Sequence, residues 1–241
     1  MSATENCLIL RLPKAERGRL LDQCEPVELQ RMTELSERGR PLSHAYFPRS
    51  GFVSLVIDLD THPPLEVGMV GRETLLGPEL ILQQAPAPWR ALVQGDGQAW
   101  RIEAAALRQQ ATLSPTLQQM LRTCLLIRLH QQSLATACVR FHLIGPRLAR
   151  WLLMFQDRVG SDSFEVTQEF IALMLGVRRV GVTVAAGELQ DSGVISYRRG
   201  RLVVLDRAEL ERRACSCYAA DLRVYDELSG QLRLPLSRPP E

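Results

Sequence analysis

At Ser114-Pro115 the hydrophobic period of the chain changes, and the stretch that follows limits the possible folds more than any other. Serine is a good helix N-cap, and proline fits the first helical position, where a backbone N–H has no partner to lose. Apolar residues then recur at helical spacing up to Gly145-Pro146, the next strong stop signal. About 30 residues between these signals predict a helix roughly 45 Å long at ~1.5 Å per residue. Along it Met120, Cys124, Ile127, Gln131, Leu134, Cys138 and Phe141 alternate spacings of four and three, the seam of a coiled coil. Leu117, Leu121, Leu125 and Leu129 fall on a second face. Two apolar faces need two partners, and a two-fold copy of the same helix is the economical second one. The seven seam residues therefore predict a homodimer interface, with Gln131 as a register-setting polar pair. Burial of the whole helix within one domain suits so long an element poorly.

Residues 25–104 read differently. Short apolar or alternating runs such as HAYFPRSGFVSLVIDL and WRALVQGDGQAWRI are punctuated by glycine and proline near every tenth residue, which predicts a β-sandwich or barrel. A short helix opened by Pro13 precedes them. The C-terminal stretch Ala208–Leu228 carries Cys215, Tyr218, Leu222, Tyr225 and Leu228 at helical spacing, and the tail QLRLPLSRPPE is expected to fray. Of 241 residues, 46% are apolar, enough for a sizeable core, yet no run approaches the ~20 apolar residues of a membrane span. The N-terminus lacks the features of a secretory leader, so a cytoplasmic protein with no membrane partner is expected. Six cysteines (Cys7, Cys24, Cys124, Cys138, Cys215 and Cys217) lie scattered through the chain, with no histidine close in sequence to the Cys215/Cys217 pair. Structural thiols, with no metal site, are the expectation.

The chemistry-bearing segment follows Thr167, which caps a helical pattern in TQEFIALML. Ala172, Gly176 and Val182 supply the small contact residue, the left-handed turn and the apolar anchor that a helix-turn-helix requires. Val182, Ala185 and Leu189 then form the inner face of the second helix, leaving Arg178, Arg179 and Thr183 outward, at the end that enters a DNA major groove. The hairpin VISYRRGRLVVL brings Arg198, Arg199 and Arg201 to its tip, suited to phosphate contact. Between Gly176 and Leu205 five arginines face only Glu188 and Asp191, a local +3 in a chain of net +2, which is the footprint of double-stranded DNA binding.

The order of these parts resembles the Crp/Fnr family of bacterial transcription regulators from about Asn6 to Leu210. FVSLV, EVGMVGRETLLG and WRALVQGDGQAWRIEAAAL are similar to its cyclic-nucleotide-binding-type β-roll, SPTLQQML to the start of its dimer helix, and residues 167–206 to its winged helix. The resemblance implies an α+β chain. It divides into a jelly-roll sensor-like domain over 1–113, a dimerisation helix over 114–144, a winged helix-turn-helix over 145–213 and a C-terminal helix and tail over 214–241. It also implies a homodimer on pseudo-palindromic promoter sites, with RNA polymerase as a further partner. Arg179 falls on the family's base-reading arginine, and Thr167 and Gln168 on backbone-contacting positions.

Cyclic-AMP binders of the family hold the ribose with a glutamate directly after the glycine of G-E-L and the phosphate with the arginine of R-S-A. Here Gly77-Pro78-Glu79-Leu80 and Trp89-Arg90-Ala91 displace both charges by one position. On a strand such a slip reverses the side chain's face. Gly77, Glu79, Arg90 and Ser133 are the candidate effector residues, for a small molecule the sequence does not identify, and the cyclic-AMP cradle reads as disrupted. A regulator with a non-sensing roll, constitutive or controlled by a protein partner, is the alternative. A β-roll metalloenzyme would need clustered histidine and carboxylate ligands, whereas His44, His62, His130 and His142 are isolated in sequence. No catalytic residue is expected, and the sequence identifies no cofactor.

Overall fold

A computed structural model describes residues 5–82 and 86–230 and resolves the chain into two compact units. One comprises the chain up to Val56, Gly68–Gln131 and the part from Arg223; the other comprises Ile57–Val67 and Gln132–Leu222. These units cut across the four-part division expected from the sequence. The QLRLPLSRPPE tail lies outside the described residues.

The first unit opens with α1 (Cys7–Arg11) and α2 (Lys14–Leu21), followed by β1 (Glu25–Leu29), β2 (Glu34–Ser36), β3 (His44–Pro48), β4 (Phe52–Leu59) and β5 (His62–Val70), whose shared tip Ile57–Val67 belongs to the second unit, a 3-10 turn at Pro78–Leu82, β6 (Arg90–Gly95) and β7 (Gly97–Glu103). The strands form two antiparallel sheets, ordered β1-β7-β3 and β2-β6-β4-β5. Phe47, Phe52, Leu55, Leu75, Leu76 and Ile102 are buried to within 1% of completely, so the apolar runs read from the sequence do fill one core. Burying a side chain of this size contributes about 1.5–3 kcal/mol. Asn6 fastens α1 to this core: its side chain accepts from Leu8 and Ile9 and donates to the Pro48 and Thr74 carbonyls at 2.9 and 2.8 Å. The unit continues through α3 (Ala104–Leu113) into α4 (Pro115–Phe141), of which the part from Gln132 belongs to the second unit.

Ser114 caps α4 as expected, its Oγ accepting from Leu117 N–H at 2.9 Å. The expected end does not hold. The helix stops at Phe141 after 27 residues, and α5 (Ile144–Val159) starts before Gly145-Pro146. Those residues occupy the first turn of α5, where N–H groups have no intrahelical acceptor and proline is tolerated.

In the second unit, α5 is followed by β8 (Ser163–Glu165), α6 (Gln168–Leu175), α7 (Arg179–Asp191), β9 (Ile195–Arg198), β10 (Arg201–Val204), α8 (Arg207–Arg213) and the start of α9 (Cys217–Gly230). A three-stranded antiparallel sheet, β8-β10-β9, backs the helices; β8 gave no alternating signal because it is only three residues long. The single C-terminal helix expected over 208–228 is two helices, broken at Ala214–Ser216, where Cys215 N–H bonds the Pro146 carbonyl at 3.2 Å. Aromatic stacking of Phe155 on Phe164, centroids 4.4 Å apart, ties α5 to β8. Among the described residues no single helix is long and apolar enough to cross a membrane.

Candidate nucleic-acid interface

The second unit positions a helix pair and a wing. Thr167 takes the N-cap of α6, with Oγ1 accepting from Phe170 N–H at 3.1 Å. Gly176 ends α6 at φ +62°, the left-handed conformation that closes a helix with a tight change of direction. The next helix departs at 111°, within the range of a helix-turn-helix. Ile171, Ala172, Val182, Ala185 and Leu189 are buried between the two helices and their support, while Arg178, Arg179, Val180 and Thr183 are exposed.

Arg178 is the N-cap of α7 and Arg179 its first helical residue, so both guanidinium groups stand at the exposed N-terminal end. Thr183 Oγ1 lies 2.7 Å from Gln168 Oε1 and 3.1 Å from the Arg179 carbonyl, two acceptors for one hydroxyl hydrogen. Gln168 and Thr183 thus brace α6 against α7.

The wing turns at Arg199 and Gly200, whose φ values of +51° and +82° are the pair a two-residue type I′ hairpin demands. Arg198 and Arg201 sit opposite one another in register beside this turn. Like charges at opposed positions repel, so an anion set between them is favourable. Arg201 also donates from Nε to Ser163 Oγ at 3.0 Å, which fixes its root. Tyr197, behind the wing, donates its hydroxyl to the Val166 carbonyl at 2.7 Å, and burial pushes its phenol up to about 12.

Several supporting residues carried no sequence signal. The guanidinium of Arg147, on α5, donates to the carbonyl of Leu175 at the end of α6 and is mostly buried. From the β4–β5 tip, Glu66 accepts the Trp151 indole N–H at 2.9 Å. A Cβ at Gly176 would meet Leu65 Cδ1 at 2.8 Å, so the same tip packs on the α6–α7 turn.

The candidate effector residues are engaged within the chain. Glu79 lies on the 3-10 turn rather than on a strand, so the strand-face argument for its displacement does not apply. It pairs with Arg128 Nη1 at 3.1 Å; Arg128 also donates to the Leu75 carbonyl at 2.9 Å and covers the Trp89 ring, 5.3 Å from its centroid. Burial lowers the Arg128 pKa, and Glu79 opposes that shift. Arg90 faces Glu34 at 3.6 Å, and Gly77 has φ +96°. Ser133 falls in the other unit, on exposed surface of α4.

The expected dimer seam divides. Met120, Cys124 and Ile127 are buried in their own unit and Cys138 in the second, Gln131 and Leu134 are half-buried, and Phe141 is 75% exposed. Four of the seven therefore face inward, against the expectation. The exposed large apolar residues of α4 are Leu126, Leu129, Val139 and Phe141, and the face through Leu126, Leu129 and Ser133 keeps the three–four spacing.

Comparison with known proteins agrees with this geometry. Residues 146–213 match the Crp-like helix-turn-helix domain. A CRP-like cAMP-activated global transcriptional regulator of Mycobacterium tuberculosis is 24% identical over 202 residues, 81% of this chain and 90% of that protein. Among solved structures, the c-di-GMP-responsive global regulator CLP of Xanthomonas campestris superimposes with a TM-score of 0.65 at 19% identity, covering 80% of this chain and 99% of that one. A CRP-family transcriptional regulator of Thermus thermophilus gives 0.66 at 21% identity, over 78% and 96%. The α6–turn–α7 unit with its arginine-bearing wing lies within a Crp-like helix-turn-helix domain, and over most of its length the chain is similar to CRP-like transcriptional regulators.

Proposed function

We propose that the protein is a cytoplasmic homodimer that reads a two-fold symmetric promoter site. The exposed N-terminus of α7, with Arg178 and Arg179 held 111° off a capped and braced α6, carries this reading. Arg179 reaches guanine O6 and N7 as a planar two-donor fork, while Arg198, Arg199 and Arg201 and the Thr167–Gln168 cap hold phosphates. The second copy packs along α4 through Leu126 and Leu129, sets the half-site spacing and presents the assembly to RNA polymerase.

The β-roll is proposed to act without cyclic AMP. The Mycobacterium and Xanthomonas relatives are described as responding to cyclic nucleotides, but here Glu79 and Arg90 are neutralised by Arg128 and Glu34. Control through a partner protein or another small molecule fits this pairing better.

Selection of duplexes from a random pool with the purified full chain tests the proposal. A motif with two-fold symmetry is expected; enrichment without symmetry, or none, would overturn it.

A further inference from the structure

Four ligand-type side chains from two stretches far apart in sequence meet at one point of the second unit. Cys138 Sγ lies 3.5 Å from Cys215 Sγ, Cys217 Sγ lies 3.5 Å from His142 Nδ1, and all four donor atoms fall within 4.8 Å of one another. The three cysteines are at most 7% exposed and His142 is half-buried.

The local structure explains the convergence. Cys138 and His142 stand four residues apart at the end of α4, on one helical face. His142 N–H still bonds the Cys138 carbonyl at 3.0 Å, extending the helical geometry past Phe141. Opposite them, Cys215 N–H is held by the Pro146 carbonyl, and the break between α8 and α9 turns Cys215 and Cys217 towards the same point.

We infer that Cys138, His142, Cys215 and Cys217 form a tetrahedral site for a single divalent metal ion of zinc type. With metal–sulfur and metal–nitrogen bonds of about 2.3 and 2.0–2.1 Å, ideal tetrahedral donors stand roughly 3.5–3.8 Å apart. The Cys138–Cys215 and Cys217–His142 separations of 3.5 Å match that figure, and the remaining ones, within 4.8 Å, need only small side-chain shifts to close on an ion. Three sulfurs and one imidazole form a closed structural donor set, with no position left for substrate. A cluster of several irons and sulfides would spread its ligands beyond this span. Three thiolates leave the loaded centre with one negative charge, and Arg150 supplies the complement. Its Nε is buried without a hydrogen-bond partner among the described residues, and its charge lies within electrostatic reach of Cys138 and Cys217. On binding, each cysteine releases its proton to solvent and donates a sulfur lone pair, with no change in oxidation state. The metal then pins the α8–α9 junction to the end of α4.

The experiment uses the full chain, purified anaerobically under reducing conditions, stripped with a chelator and titrated with cobalt(II). About one cobalt per protomer is expected, with thiolate-to-cobalt charge-transfer bands and the ligand-field absorption of tetrahedral cobalt. Zinc(II) should bleach both stoichiometrically. Cys215→Ser and Cys217→Ser should lose these bands, whereas Cys124→Ser should keep them. Should the serine variants misfold, alkylation of the wild-type chain decides: zinc must protect Cys138, Cys215 and Cys217 while Cys7 and Cys24 label as before. No charge-transfer bands in the wild type, bands that survive both serine variants, alkylation unchanged by zinc, or iron with acid-labile sulfide would each overturn the site.

Discussion

Arg147 donates its guanidinium to the carbonyl of Leu175, so a side chain from α5 closes the last turn of α6 immediately before Gly176. The bond meets a backbone acceptor that the end of the helix leaves open. Arg147→Met keeps much of the buried stem and removes the donor. It should cost about 1.5–3 kcal/mol, the range of a hydrogen bond to a charged group. Urea denaturation measures this, and DNA affinity should fall in the same variant. Unchanged stability would mean that solvent satisfies Leu175 equally well.

Gly176 is constrained twice, by φ +62° and by Leu65 at 2.8 Å from any added Cβ. The left-handed conformation alone costs an alanine about 1–2 kcal/mol. Gly176→Ala should therefore lower the melting temperature. The double variant Gly176→Ala/Leu65→Ala should recover the steric part and leave the conformational part. A double-mutant cycle with no coupling energy would remove Leu65 from the account.

The arginines of α7 and of the wing should behave differently. Arg179→Ala is expected to lose about 1–3 kcal/mol on the preferred duplex and to relax its sequence preference. Arg199→Ala should weaken all sequences alike and reduce the salt slope by about one. Titrations on operator and scrambled duplexes at several salt concentrations separate these. Equal losses on both duplexes for Arg179→Ala would contradict base reading.

On α4 the exposed and buried leucine-type positions make opposite forecasts. Leu126→Glu/Leu129→Glu should give a folded monomer by light scattering, with operator binding lost. Ile127→Ala, only 5% exposed, should instead cost about 2–5 kcal/mol of stability as a cavity. A dimeric Leu126/Leu129 double variant would move the interface elsewhere.

Calorimetry with cyclic AMP tests the β-roll. With Glu79 and Arg90 committed to Arg128 and Glu34, each lost charge-assisted bond is worth roughly 1.5–3 kcal/mol, about ten- to hundred-fold in affinity. Micromolar affinity that disappears in Arg90→Ala would show that the pairs open readily.

The helix-turn-helix was the most legible part because its demands are local. Ala172, Gly176 and Val182 lie within eleven residues, and the Arg199-Gly200 turn declares itself in two. Helical periodicity, by contrast, reports that α4 has more than one apolar face, without saying which the chain covers itself. Hence Met120, Cys124 and Ile127 read as a seam and are core. Gly145-Pro146 misled because proline is compatible with a helix's first turn as well as its end. The Cys138–His142 spacing of four on a helix was a visible half of the thiol–imidazole cluster. Its other half lies more than seventy residues on, beyond any pattern that spacing alone can join.

The placement of Ile57–Val67 with the second unit has a consequence for dissecting the protein. The polypeptide passes between the units four times, so no single scission releases either one whole. A fragment starting at Gln132 would leave the Trp151 indole without Glu66 and the α6–α7 turn without Leu65, an orphaned donor beside bared hydrocarbon. The DNA-binding half is therefore not a transplantable cassette: a functional chimera must carry the β4–β5 tip of the same parent along with its helices.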